Sequence, residues 1–222
     1  MKRTLLSVCL LALLQLTLFA QTGQNPRIVH IPEKSAIHVP PQEALAGLKW
    51  IYGNLNSAKT ELYNDQLANY ILGPNNSLHY VAEFQAMSFT PKSDSHVSRV
   101  RVAVQYRDYG GANQVDLSIY GDSGGVPGTL LAGPVTVTNL PVAGTCCTLT
   151  VANFPPVAVT GGTQYWVVAD TPLTGTGSDF VGVWNFIFPR IPPQASYLAG
   201  SGWSGFSGYT LEVAGEVLGT IP

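Results

Sequence analysis

Downstream of Leu48, apolar and polar positions alternate with period two over run after run. "VSRVRVAVQY" places Val100, Val102, Val104 and Tyr106 on one face and Arg99, Arg101 and Gln105 on the other, the pattern of a half-buried β-strand. "VDLSIY" repeats it with Val115, Leu117 and Ile119 directed inward, and "TQYWVVAD" and "YTLEVAGEV" add strands rich in β-branched and aromatic residues. Between the runs lie "DYGGANQ", "GDSGGVPG", "TGG" and "LTGTGSD", whose glycines reach the positive φ angles of tight turns. Only "NSAKTELYNDQLANYI", residues 56–71, has helix-like spacing, bracketed by Gly53 and by Gly73 with Pro74. The pattern predicts an all-β protein: an antiparallel, jelly-roll-like β-sandwich over residues 47–219, with Trp166 and Trp184 in its core.

The N-terminal part reads differently. Lys2 and Arg3 precede an apolar run from Leu5 to Ala20, too short for the roughly 20 residues of a membrane span and ending on a small residue, so residues 1–20 read as a secretory signal peptide. Cys9 lies too early in the run for a lipid-modified cysteine. Residues 21–46 carry Pro26, Pro32, Pro40 and Pro41 and read as a proline-rich extended arm or linker. Its histidines, His30 and His38, lack cysteine or carboxylate neighbours at ligand-like spacing, so no metal site is expected there. The C-terminal "EVLGTIP" carries no anchor, and the expected product is secreted, without a transmembrane anchor after signal cleavage.

Composition narrows the partners. Without the signal the chain has 222 − 20 = 202 residues and a net charge of 9 − 13 = −4, which argues against nucleic acid or an anionic membrane surface. Charged residues make up only 11%, with 23 glycines and 16 prolines: turn-rich, yet apolar enough to fold.

The strand motifs "WIYGNL", "YVAEFQAMSFTP", "VDLSIYGDSGGVPGTLLA", "TCCTLTV", "GGTQYWVVAD", "VGVWNF" and "SGWSGFSGYTLEVAGEV" together resemble the secreted bacterial β-sandwich modules called choice-of-anchor domains, of the type R group, over Trp50 to Val217. "IYGDSGGVPG" and "GGTQYWVVA" carry most of that resemblance. It implies an extracellular, non-catalytic module. The chain departs from the family in lacking a C-terminal sorting segment after the last strand.

"GDSGG" is also the string around the nucleophile of trypsin-like serine proteases. Acyl transfer by Ser123 would need a histidine base, a carboxylate orienting it and oxyanion donors. None of His30, His38, His79 or His96 sits in an Ala-Ala-His-Cys setting, and the string continues Val126-Pro127 where the protease pattern continues with Pro. A strand-to-strand turn is the expected role, and no catalytic residue is assigned.

Cys146 and Cys147 are the only cysteines after the signal. In an oxidising compartment they are expected to form a vicinal disulfide, the alternatives being two thiols or a link to another chain. A vicinal bridge would clamp the turn before "TLTVANF"; a redox role would want cations or a helix N-terminus nearby, and the sequence offers neither.

No cofactor is expected. Calcium is the one cation that the turn aspartates Asp108, Asp116, Asp122 and Asp179 could take, although no EF-hand or Asp-x-Asp-x-Asp pattern is present. Among the aromatics of residues 180–209, Trp203, Phe206 and Tyr209 lie in a glycine- and serine-rich stretch and are the candidates for stacking on a ligand, Trp203 foremost. Sugar binding there predicts Trp203 and a neighbouring ring exposed and coplanar. The expected function is a secreted, non-catalytic module for extracellular interaction or structure, its partner a polysaccharide or a surface protein. A serine-type hydrolase and a calcium-stabilised carbohydrate-binding module are the alternatives.

Overall fold

The computed structural model describes residues 27–31, 35–36, 47–55, 63–187, 193–206 and 211–222. No helix occurs among them, and the fold is an all-β sandwich. The small sheet has the order β11-β6-β17-β3, from β3 (Lys49–Gly53), β6 (Ser95–Val102), β11 (Thr150–Val159) and β17 (Gly215–Thr220). The large sheet runs β16-β13-β4-β5-β12-β8-β9, from β4 (Asn64–Leu72), β5 (Glu83–Phe89), β8 (Gln114–Asp122), β9 (Pro127–Thr138), β12 (Tyr165–Asp170), β13 (Val181–Ile187) and β16 (Glu212–Val213). Off this path, β1 (Ile28–His30) pairs with β4, β7 (Val104–Tyr106) with β13, and β14 (Gln194–Leu198) with both β5 and β15 (Gly202–Phe206). Two-residue strands β2 (Ser35–Ala36) and β10 (Thr145–Cys146) pair in parallel.

The alternation expected from the sequence fills the space between the sheets. Val97, Val100 and Val102 of the small sheet meet Val115, Leu117, Ile119, Met87 and Val167 of the large one in a single core, all fully buried. Trp166 and Trp184 are fully buried, as expected.

The segment with helix-like spacing is different: Asn64–Leu72 is strand β4, and residues 56–62 lie outside the described residues. Ala68 and Asn69, and again Ile71 and Leu72, are adjacent residues of zero exposure. A strand covered on both faces loses its period-two signature, and its apolar positions then mimic a helix.

"VSRVRVAVQY" is likewise not one half-buried strand. Strand β6 ends at Val102, and β7 resumes at Val104 in the other sheet. Ala103 between them donates its N–H to the Ala214 carbonyl, and Ala214 marks the same passage between β16 and β17. Two chain segments thus change sheets side by side, so Arg101 (7% exposed) and Gln105 (0%) are buried rather than solvated. Arg101 is compensated by an ion pair with Glu216, whose other oxygen accepts the Trp50 indole N–H at 2.8 Å.

Part of the proline-rich arm is paired. Ile28–His30 lies antiparallel to β4, and Ile31 is buried. Pairing between β4 and β5 is confined to Leu72 opposite Glu83; beyond that point β1 takes the free edge of β4 and β14 that of β5, so the large sheet forks.

Candidate functional site

The "GDSGG" stretch is the hairpin connection between β8 and β9. The Ser123 N–H donates to the Val126 carbonyl at 2.9 Å, and Gly124 and Gly125 hold φ angles of 65° and 88°, conformations that a side chain would oppose. Ser123 is exposed, and its hydroxyl has no hydrogen bond among the described residues. His96 is exposed on β6, paired with Ala158 and Thr220 of the small sheet, and Asp108 accepts from the Tyr106 hydroxyl at 3.3 Å. The letters of the protease string therefore build a turn.

Its organising residue is Asp122. One carboxylate oxygen accepts from the Trp166 indole N–H at 2.8 Å and from the Gln164 amide at 2.7 Å; the other accepts the Gly125 N–H at 3.2 Å. Burial alone would raise this carboxyl's pKa, but the bonds from Trp166, Gly125, Gln164 and Gly124 together outweigh it and hold the group below its ordinary value.

The turn anchors a second small core on the face of the large sheet that looks away from the sandwich. Trp166, Val168, Ala86 and Ala195 form it, with Tyr120, Val126 and Trp203 packed against them. Strand β15 bends over this face so closely that a Cβ on Gly205 would stand 2.7 Å from the Gly125 carbonyl oxygen. Phe84 and Tyr197, paired across β5 and β14, stack at 5.0 Å with planes 12° apart. Tyr197 then meets Trp203, its partner across β14 and β15, edge-on at 5.7 Å and 60°.

Trp203, singled out from sequence, is thus half-buried, and its ring and that of Tyr197 form a corner rather than the flat platform expected. Phe206 lies three residues along the same strand, opposite Gln194, and so faces the other way. Tyr209 lies outside the described residues. The sequence does not reveal Phe84 and Tyr197 as the companions of Trp203, because cross-strand register brings them together.

The four turn aspartates do not converge. Asp116 accepts from the Thr136 hydroxyl at 2.5 Å, and Asp179 accepts the Ala112 N–H at 3.0 Å; Asp108 and Asp122 are engaged as described. Among the described residues no group of three His, Cys, Asp or Glu side chains could hold a metal ion. His30 is exposed and His38 lies outside the described residues. Asp170, unremarked in the sequence, stands directly opposite Asp116 across β12 and β8. Burial and then the Asp116 charge push its pKa up to about 7.

Cys146 and Cys147 are joined as a vicinal disulfide, 9% and 2% exposed. Its surroundings are fixed by fully buried Gln105, which donates to the Thr145 carbonyl at 2.6 Å and to the Tyr63 hydroxyl at 3.0 Å and accepts the Gly144 N–H at 3.2 Å. The Tyr63 hydroxyl donates on to the Thr148 carbonyl. The bridge belongs to a buried clamp.

No protein-family model matches the chain, and no curated protein matches it.

Proposed function

We propose that this protein is a secreted, non-catalytic β-sandwich module of the choice-of-anchor kind that contacts an extracellular polysaccharide. One observation carries the reading: the Tyr197–Trp203 corner, half-exposed and backed by buried Phe84 and Trp166 on an outward sheet face. The rings are not the coplanar pair that a flat platform needs, and stacking falls to one ring at a time: the corner offers apolar area for the C–H face of a single pyranose together with a hydroxyl and an indole N–H at its edge. The turn role of "GDSGG" supports the non-catalytic part of the proposal.

The test is a panel of soluble plant, bacterial and animal glycans examined by calorimetry and affinity electrophoresis. Trp203→Ala should weaken any observed binding about tenfold or more while the protein stays folded, as loss of a stacking ring does. A panel that stays blank with folded protein, or a Trp203→Ala protein that binds unchanged, would remove the proposal.

A further inference from the structure

Tyr80 is held at φ 55°, a left-handed conformation that its bulky side chain disfavours, and is 76% exposed. Among the described residues its ring and hydroxyl have no hydrogen-bond or ring partner. A bulky, exposed side chain held in that conformation directs attention to function. The loop carrying it is tied together by one side chain. Fully buried Asn76 donates to the Gly73 and Val81 carbonyls at 2.6 and 3.1 Å and accepts the Leu78 and His79 N–H groups at 2.9 and 2.8 Å.

Beside this loop lies Arg107. Its guanidinium stands 5.7 Å from the Tyr70 ring centroid and 5.1 Å from that of Tyr109, itself 42% exposed. One of its nitrogens donates to the Tyr70 hydroxyl at 2.9 Å; among the described residues the remaining donors have no acceptor and the charge has no carboxylate partner. Asp108 belongs to the opposite side of the chain, where it accepts from Tyr106. His79 meets Tyr70 edge-on at 5.8 Å, and the Ser77 hydroxyl donates to the Tyr109 carbonyl at 3.3 Å, tying the two loops into one surface.

We infer that Tyr80, Tyr109 and Arg107 form a binding site for a carboxylate-bearing sugar, a uronic acid unit of an acidic polysaccharide. The planar fork of an arginine matches a carboxylate with two parallel hydrogen bonds, and the tyrosine rings offer faces for the pyranose carrying it. The neighbouring Arg27 is engaged by Glu83, which leaves Arg107 as the cation without a carboxylate at this surface among the described residues; in a chain of net charge −2 that fits isolated carboxylates spaced along a sugar chain, not the dense phosphates of a nucleic acid. The site extends the surface of the proposed function, since the Ala199 N–H donates to the Ala82 carbonyl and sets the loop after β14 beside the loop of Tyr80. It stands on its own residues.

The experiment is calorimetry of the purified protein with oligogalacturonate, a neutral xylo-oligosaccharide and a polyglutamate peptide as probes. Oligogalacturonate should bind about tenfold or more tightly than either control. Arg107→Gln should abolish that preference, Arg107→Lys should retain part of it, and Trp203→Ala should leave the charged-to-neutral ratio intact even where it weakens both. Tyr80→Gly should weaken oligogalacturonate severalfold while leaving the melting temperature unchanged or raised, because glycine accepts the left-handed conformation. The inference is overturned by absent oligogalacturonate binding, by equal binding of the xylo-oligosaccharide or the peptide, by an intact preference in Arg107→Gln, or by a lowered melting temperature in Tyr80→Gly.

Discussion

At the scale of single residues, Asp122 and its neighbour Ser123 have opposite weights. Asp122 satisfies an indole N–H whose ring is fully buried, an amide and a backbone N–H at once, and it does so at the point where β15 closes over the outward face. Asp122→Ala leaves the Trp166 nitrogen without its acceptor, and the expected destabilisation is about 1–3 kcal/mol in a denaturant titration. Ser123→Ala touches only an exposed hydroxyl whose backbone does the turning, and should fall within about 0.5 kcal/mol of the parent. The reverse order, a destabilised Ser123→Ala and an indifferent Asp122→Ala, would contradict this account of the turn. Sequence alone indicates the turn through its glycines, but not the inward role of the aspartate, since its indole partner is 44 residues away on another strand.

At the scale of elements, the sheet places two carboxyls opposite each other where no sequence spacing suggests it. Asp116 and Asp170 share one register position across β8 and β12, and the Thr136 hydroxyl bonds to Asp116. Asp170 is the one whose pKa rises to about 7, so its contribution to stability is complete below its unfolded value and is lost as pH climbs through about 7. Asp170→Asn removes the ionising group. Its melting temperature relative to the parent should therefore increase from pH 4 to pH 8; a constant difference across that range would disprove the assignment. What could be read from the sequence follows the same physics. Strands with one face in the core, such as β8 with Val115, Leu117 and Ile119, announce themselves by alternation. β4 and the β6–β7 passage do not, because covering both faces or crossing between sheets erases the period. Of the candidate site, Trp203 was visible as an aromatic among glycines, while Phe84, Tyr197 and Arg107 acquire meaning only from pairing register and loop contact.

At the scale of the whole molecule, the fork in the large sheet couples the N-terminal strand to pH. Glu83 is the residue of β5 at which β4 departs; its surroundings are Leu72 on β4, Leu198 on β14, the Gln85 amide at 3.5 Å and the Arg27 guanidinium at 3.7 Å. Burial raises its pKa to about 7 against the opposing pull of Arg27. Arg27 also acts on His79, whose pKa is lowered first by burial and then by that charge. Glu83 and Asp170 have the same sign: each holds its proton in the folded chain at pH values where the unfolded chain has released it. Between about pH 4.5 and 7 the folded state therefore loses stability with rising pH, each group contributing a slope of at most about 1.4 kcal/mol per pH unit. The two are separable by place. Ionisation of Glu83 strengthens its attraction to Arg27 at the start of β1, which is held by only three residue pairs, so above pH 7 amide exchange at Ile28–Ile31 should rise less than its intrinsic base catalysis, and Glu83→Gln should remove that protection. Asp170→Asn, acting within the paired region of β12 and β8, should flatten global stability against pH without changing the protection of the strand. Exchange at Ile28–Ile31 that responded equally to both substitutions would mean that β1 opens only with the whole sandwich, and the fork would then be no hinge.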